Sequence, residues 1–133
     1  MFYRGLTLIA FLAAPAAADT QLTPEEFEAY VAGKTLYFAG DGAAPYGAEQ
    51  YRADRRVRWS FLDGNCKEGQ WFVDLDLICF VYQDNPEPQC WSFYKTPDGG
   101  LKALFENDPD QTTLYEVSEA SGPLQCYGPE VGA

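Results

Sequence analysis

Apolar residues in the first part of the chain recur at the spacing of a helix. Phe27 and Val31 lie one turn apart, and mainly polar residues surround them. Thr23 and Glu26 form a capping-box pair, in which each side chain can accept a hydrogen bond from the other residue's backbone amide. The pattern predicts a short helix over about residues 24–32.

Beyond that segment the helical spacing stops, and short alternating runs replace it. Val57, Trp59 and Phe61 alternate with polar residues, which is typical of a strand with one buried face. Turn-forming pairs such as Asp-Gly separate the runs. We expect strands near 34–39, 48–52, 56–62, 66–73, 77–83, 89–95, 101–106 and 112–117. The short links, among them the Pro-rich stretch 84–88, predict a mainly β fold. It is an antiparallel meander that forms a small lipocalin-like barrel or a sandwich.

The N-terminus has the three regions of a secretory signal peptide, which we assign to residues 1–18. Arg4 supplies the positive charge, residues 6–12 form a short apolar run, and residues 16–18 are small alanines. The apolar run is too short to span a bilayer as a helix. We therefore expect cleavage after residue 18 and a single β-rich domain over 19–133.

Four cysteines in an exported chain of this size predict two disulfide bonds. Three pairings are possible, and the sequence leaves them open. If segment 77–95 is a hairpin with Cys79 opposite Cys90, those two residues pair, and Cys66 is left to join Cys126. In that hairpin one apolar row shares the opposite sheet face: Ile78, Phe80, Tyr82, Trp91 and Phe93.

The charge balance limits the classes of partner. Twenty acidic residues against nine Lys and Arg give a net charge of −11, which disfavours nucleic acid and anionic membranes. Aromatic residues make up 16% of the chain, more than is typical of acidic disordered proteins. We expect a folded monomer without a membrane span, located in the periplasm or secreted. Its partner would be an unknown small ligand or a cationic envelope protein.

Recognisable catalytic and metal-binding patterns are missing from the sequence. There is no His, so neither a Ser-His-Asp triad nor a Cys-His pair is possible. The cysteines lack the close spacing of zinc ligands. Asp108 and Glu119 fall at the first and twelfth positions of a calcium loop, but Thr113 replaces the glycine that such a loop requires at its sixth position. We therefore assign no catalytic residue, metal or cofactor.

A cluster of arginines is the one local anomaly, since four lie within seven positions, namely Arg52, Arg55, Arg56 and Arg58. A guanidinium group suits contact with carboxylates or phosphates and stacking on aromatic rings. The candidate ligand-binding residues are therefore Arg56, Arg58, Tyr46, Tyr51 and Trp59. The alternative is a solvated strand face whose arginines pair with the surrounding acidic residues.

Several segments resemble a family of small exported proteins of alphaproteobacteria, of the Rhodobacter type. The matching stretches are GKTL at 33–36, PYGAEQY at 45–51, RRVRWSFLDG at 55–64, CKEGQW at 66–71, ICFVY at 78–82, QCW at 89–91, FENDP at 105–109 and GPEVG at 128–132. The resemblance implies a Gram-negative envelope protein and brings no activity with it.

Taken together, the sequence favours a non-enzymatic periplasmic module for binding or interaction. One form holds a small or apolar ligand in a barrel mouth lined by aromatic residues. Another is an acidic, inhibitor-like protein that docks on a cationic envelope enzyme, and low salt would strengthen that contact. An enzyme of a different class, a carboxylate-based hydrolase, is the third hypothesis.

Overall fold

The computed structural model describes residue 1, residues 8–13 and residues 19–127. The positive charge assigned to Arg4, the predicted cleavage site after residue 18 and the last residues, 128–133, lie outside the described residues. Residues 8–13 are exposed and have no regular secondary structure. In the described part of the chain, no helix has both the length and the apolar character needed to cross a membrane.

The described residues contain one α-helix and nine β-strands. The helix α1 spans Pro24–Val31. The strands are β1 Thr20–Gln21, β2 Thr35–Ala39, β3 Pro45–Tyr51, β4 Arg56–Ser60, β5 Cys66–Asp74, β6 Leu77–Tyr82, β7 Asn85–Lys95, β8 Leu101–Phe105 and β9 Thr113–Glu119. Eight of them match the eight predicted strands, and β1 was not predicted.

Strands β2 to β9 form a closed antiparallel barrel. Each strand pairs with the next along the chain, and β9 returns to pair with β2. This last pairing distinguishes a barrel from a sandwich, so the barrel alternative is confirmed. Strand β1 pairs with the end of β7 that β6 does not reach. Closure leaves no long edge of the barrel free to pair with another chain.

Helix α1 covers one end of the barrel. Its capping box is present, because Glu26 N donates to Thr23 Oγ1 at 3.1 Å and Thr23 N donates to Glu26 Oε1 at 3.0 Å. Phe27 is fully buried, and its ring meets Tyr51, Trp71 and Phe93 in the barrel interior. The helix therefore plugs this end, and the other end is left to the loops.

The hairpin of β6 and β7 has the predicted pairing but a tighter turn. Cys79 lies opposite Cys90, and Tyr82 lies opposite Asn85. The strand β7 thus begins at residue 85, so the prediction that 84–88 is a loop is wrong. Two prolines are tolerated there because the β6 pairing shifts register at this point and β8 pairs only with 91–95.

Both predicted disulfide bonds are present, Cys79–Cys90 and Cys66–Cys126. The first bond lies on the outer face of the hairpin. The second ties the C-terminal segment across the outside of the barrel, where Leu124 and Cys126 pack against Ala48. Two such bonds indicate an oxidising environment outside the cytoplasm.

Replacing both Cys79 and Cys90 by Ser should lower the free energy of unfolding by about 2–3 kcal/mol. The bond closes a short loop, with a sequence separation of 11, and it restricts mainly the unfolded chain. Urea unfolding monitored by tryptophan fluorescence measures the change. The chain should still fold, since the β6–β7 pairing does not depend on the bond. A loss below about 1 kcal/mol would contradict this expectation.

Candidate functional site

The barrel encloses a cavity at the end opposite α1. Its volume is about 260 Å³, close to the roughly 300–1,000 Å³ typical of small-molecule sites. Inward-facing residues of the strands form its walls, and exposed residues of the connecting loops form its mouth. The lining consists of Phe38, Tyr46, Glu49, Tyr51, Trp59, Phe61, Lys67, Phe80, Tyr82, Asp84, Asn85, Gln89, Trp91, Phe93, Ala103, Phe105, Thr112 and Leu114.

Three aromatic rings form one side of the mouth. Trp59 lies 6.0 Å from Tyr46 and 5.4 Å from Phe61 between ring centroids, and Tyr46 and Phe61 are 5.5 Å apart. Tyr46 and Phe61 are half exposed. On the other side Trp91 stacks against Phe105 at 4.9 Å. A ligand that enters the barrel thus passes between aromatic surfaces.

Two glycines make room for the large side chains in the interior. A Cβ at Gly47 would overlap the ring of Trp59, and a Cβ at Gly69 would overlap Tyr82 and the carbonyl oxygen of Val81. Both glycines face inward by strand register. Their missing side chains let the two rings lie flat over the neighbouring strands, and this shapes the cavity.

Glu49 is a buried carboxyl group in this aromatic lining. It is only 2% exposed and faces inward from β3, opposite Trp59 on β4. Its Oε1 accepts a hydrogen bond of 2.8 Å from the hydroxyl of Tyr82. Among the described residues, no group bonds to its Oε2. A buried polar atom left in this state needs an explanation, because nearly all such atoms in proteins are paired.

The surroundings of Glu49 favour its neutral form. Burial raises the pKa of Glu49 to about 8, and the hydrogen bond from Tyr82 opposes that rise only in part. Burial, and then the charge of Glu49, also raises the pKa of Tyr82 well above its usual value. The carboxyl group can therefore either donate a hydrogen bond when protonated or attract a cation when ionised.

An ion pair lies at the mouth. Lys67 Nζ is 2.6 Å from Asp84 Oδ2, and the ammonium group also lies 5.3 Å from the centroid of the Phe61 ring. Lys67 lowers the pKa of Asp84 through this hydrogen bond. The two charges cancel locally, so an ionised Glu49 would have no neighbouring counter-charge among the lining residues that the structure describes.

The structure divides the five predicted binding residues between two faces. Tyr46, Tyr51 and Trp59 line the cavity. Arg56 and Arg58 share the outer face of β4, as predicted from their alternation, and so they point away from those rings. The arginines and the aromatic rings of the predicted site therefore lie on opposite faces of the barrel wall.

Three residues of the arginine cluster contact acidic residues, whereas Arg56 Nε donates to the carbonyl oxygen of Ala53. Arg58 Nε and Arg52 Nη1 reach the two oxygens of Glu68 at 2.5 and 3.3 Å. Arg55 makes two hydrogen bonds of 3.2 Å to Glu28 on α1. These contacts are ion pairs with nearby carboxylates, but Arg58 is only 8% exposed and so is not solvated. They also link α1 to the barrel wall.

Sequence reasoning did not single out Glu49, although a signal existed. Within the stretch 45–51, Gly47, Glu49 and Tyr51 alternate with Ala48 and Gln50. The shared parity of Glu49 and Tyr51 would have placed a carboxyl group on the buried face. In the residues that the structure describes, no three acidic or cysteine side chains are grouped to hold a metal ion.

Comparisons of the chain with models of known families, with curated proteins and with solved structures find no match.

Proposed function

We propose that this chain is an exported, non-enzymatic binding protein that holds a small, largely apolar ligand in the open end of its barrel. The observation that carries the proposal is the cavity of about 260 Å³ with its aromatic walls. Helix α1 plugs the opposite end through Phe27, so a ligand has one entrance and a closed floor. Apolar walls with a few polar groups are the usual composition of such sites.

Two observations support a place in the periplasm or outside the cell. The disulfide bonds Cys79–Cys90 and Cys66–Cys126 are stable in oxidising compartments. The N-terminal pattern of residues 1–18 is that of a secretory signal, and the resemblance to exported proteins of alphaproteobacteria agrees with it. We propose the Gram-negative envelope as the location.

The polar groups of the cavity favour binding over hydrolysis. A carboxylate-based hydrolase needs two carboxyl groups with separate roles on either side of the bond that breaks. Among the described residues of the lining, Asp84 is the one carboxylate besides Glu49, and Lys67 holds it at the mouth. This arrangement supports a ligand-binding role with a single buried acid.

Binding can be tested with three small molecules that share one aromatic ring: 2-phenylethylamine, 2-phenylethanol and phenylacetate. At least one should bind saturably, and its NMR chemical-shift changes should be confined to the residues of the lining. Replacing Ala103, which is 3% exposed and faces inward, by Leu should weaken that binding tenfold or more, because the larger side chain fills the cavity.

Two further variants separate the site from general effects of mutation. Ser118→Leu adds the same side chain on an exposed position of β9 and should leave affinity unchanged. Thr112→Trp narrows the mouth from an exposed loop position, and it replaces the Ala103 variant in the test if that variant does not fold. The proposal would be overturned if none of the three molecules binds. It would also be overturned if the variants that fill or narrow the cavity bind with the same affinity as the wild type.

A further inference from the structure

Glu49 makes the cavity chemically selective. Its carboxyl group is buried, it belongs to the cavity lining, and its Oε2 has no hydrogen-bond partner within the described part of the chain. Leaving a buried polar atom unpaired destabilises the protein, and the destabilisation is larger for a charged group. When Glu49 is ionised, a ligand that supplies a hydrogen-bond donor at this oxygen removes this destabilisation.

Charge balance in the lining favours a ligand with one positive charge. Lys67 and Asp84 neutralise each other at 2.6 Å, so Glu49, once ionised, has no counter-charge among the described residues of the lining. A ligand carboxylate would meet an ionised Glu49 with the same sign, and Lys67 in the lining is already paired with Asp84. A single ammonium group would balance the cavity and bond to Oε2.

The aromatic walls favour the same ligand class. Rings of Trp, Tyr and Phe attract cations over their faces, and the attraction grows when water is excluded. Ten of the lining residues given above carry such rings, and Glu49 lies in the same lining. The same rings bury an apolar body. The net charge of −11 on the chain would also draw cations toward the protein at low salt.

We infer that the ligand is a small protonated amine on an aromatic or otherwise apolar body, with its ammonium group bound by the carboxylate of Glu49. This inference rests on the proposed function, since it takes the cavity as the binding site. The hydroxyl of Tyr82 holds Oε1 and orients the carboxylate, so that Oε2 is left for the ligand. Tyr82 acts here as a positioning residue.

Binding of a cation should depend on pH through Glu49. The pKa of Glu49 is raised to about 8, so an amine that binds the carboxylate must displace a proton below that pH. The hydroxyls of Tyr51 and Tyr82 have pKa values raised well above 10 and stay neutral. The pKa of Asp84 is lowered by Lys67. Among the described residues, the titratable or charged groups of the lining are Glu49, Tyr46, Tyr51, Tyr82, Lys67 and Asp84, and Glu116 lies toward α1.

The test compares 2-phenylethylamine with 2-phenylethanol, in which a neutral hydroxyl replaces the ammonium group. Calorimetry should show the Kd of the amine falling about tenfold per pH unit from pH 6 to pH 8 and levelling off above it. At pH 8.5 the amine should bind at least tenfold tighter than the alcohol, which corresponds to about 1.4 kcal/mol. An alkylamine stays protonated across this range.

Two substitutions assign the effect to Glu49. In Glu49→Gln the preference for the amine and the pH dependence of amine binding should vanish, while the alcohol still binds. The control Glu87→Gln removes an exposed carboxylate of β7 and should change neither the preference nor the pH dependence. In Tyr82→Phe the carboxylate loses its donor, so the pH at which amine binding levels off should rise. Tyr127→Phe removes a hydroxyl outside the barrel and should leave that pH unchanged.

The outcomes separate the two levels of the proposal. If amine and alcohol bind equally in the wild-type protein, or Glu49→Gln keeps the preference, the cavity remains a binding site and the assignment of an amine is overturned. If the alcohol binds more tightly as the pH falls, a protonated Glu49 donates to a ligand oxygen, which also overturns it. If no probe binds at all, the proposed function fails with it.

Discussion

Replacing Phe27 by alanine is expected to lower the free energy of unfolding by about 3–5 kcal/mol, the range measured for large-to-small changes of a buried phenylalanine. Its side chain is fully buried, with ring centroids 4.4 Å from Phe93, 5.4 Å from Trp71 and 5.8 Å from Tyr51. No other residue of α1 reaches three interior rings in this way. The loss should exceed that of most single substitutions, whose average is near 1 kcal/mol.

The effect should be large because α1 depends on its packing. A helix of eight residues is not stable alone in water, even with a complete capping box. Phe27 fixes it to the end of the barrel, and the ion pair between Arg55 and Glu28 adds only a solvent-exposed contact. Without the ring, the helix loses its main attachment, and the barrel end that it covers becomes accessible to water.

Urea unfolding followed by tryptophan fluorescence measures this change. The control Glu25→Ala lies on the exposed face of the same helix and should alter stability by less than about 0.5 kcal/mol. A cost below about 1.5 kcal/mol for Phe27→Ala would show that α1 is not the plug of the barrel. Amide hydrogen exchange should then also fail to show faster exchange in α1.

Local features of the fold could be predicted because short segments encode them. The capping box of Thr23 and Glu26 is such a case, since both partners lie within three residues. The hairpin is another, because the parity of Cys79 and Cys90 fixes which residues share a face. Ile78 and Phe93 are buried on the predicted side, and Trp91 faces the same interior and lines the cavity.

Features that depend on distant pairings could not be predicted in the same way. Closure requires β2 to pair with β9, with Tyr37 opposite Ser118, and nothing in either strand specifies the other. The short strand β1 pairs with the C-terminal end of β7, which extends beyond the residues that β6 covers. The parity of Glu49 and Tyr51 indicates the face of β3 on which the carboxyl group lies, but its burial depends on closure, since the same group on an open sheet would remain in water. For that reason the aromatic residues Tyr46, Tyr51 and Trp59 were assigned to a site whereas its acid was not.

The stability of the protein should depend on pH through this buried carboxyl group. In the folded protein the pKa of Glu49 is raised from 4.5 to about 8 by burial. Between these two pH values the folded state holds a proton that the unfolded state has released. Unfolding therefore releases a proton, and raising the pH favours the unfolded state. The cost of Glu49 is absent below pH 4.5, grows through the interval, and is complete above pH 8.

Replacing Glu49 by Gln should remove this cost, because an amide of the same shape does not ionise. Relative to the wild type, the variant should gain about 3 kcal/mol of unfolding free energy between pH 4.5 and pH 7, at 1.36 kcal/mol per pH unit. Comparing the two proteins at each pH cancels the titration of the many exposed carboxylates. Any difference in stability between the amide and the acid that does not depend on pH adds a constant to the difference in unfolding free energy. It does not alter the slope of that difference against pH.

Urea unfolding at several pH values from 4.5 to 8.5 gives the difference directly, with Glu87→Gln as an exposed control whose curve should run parallel to that of the wild type. A flat difference for Glu49→Gln would mean that the carboxyl group is hydrated in the folded protein, and the amine site would then lose its buried acid. A difference that grows with pH would show that the barrel tolerates this group at the expense of stability. That is the expected property of a residue kept for binding, because a well-packed apolar side chain would serve the fold better.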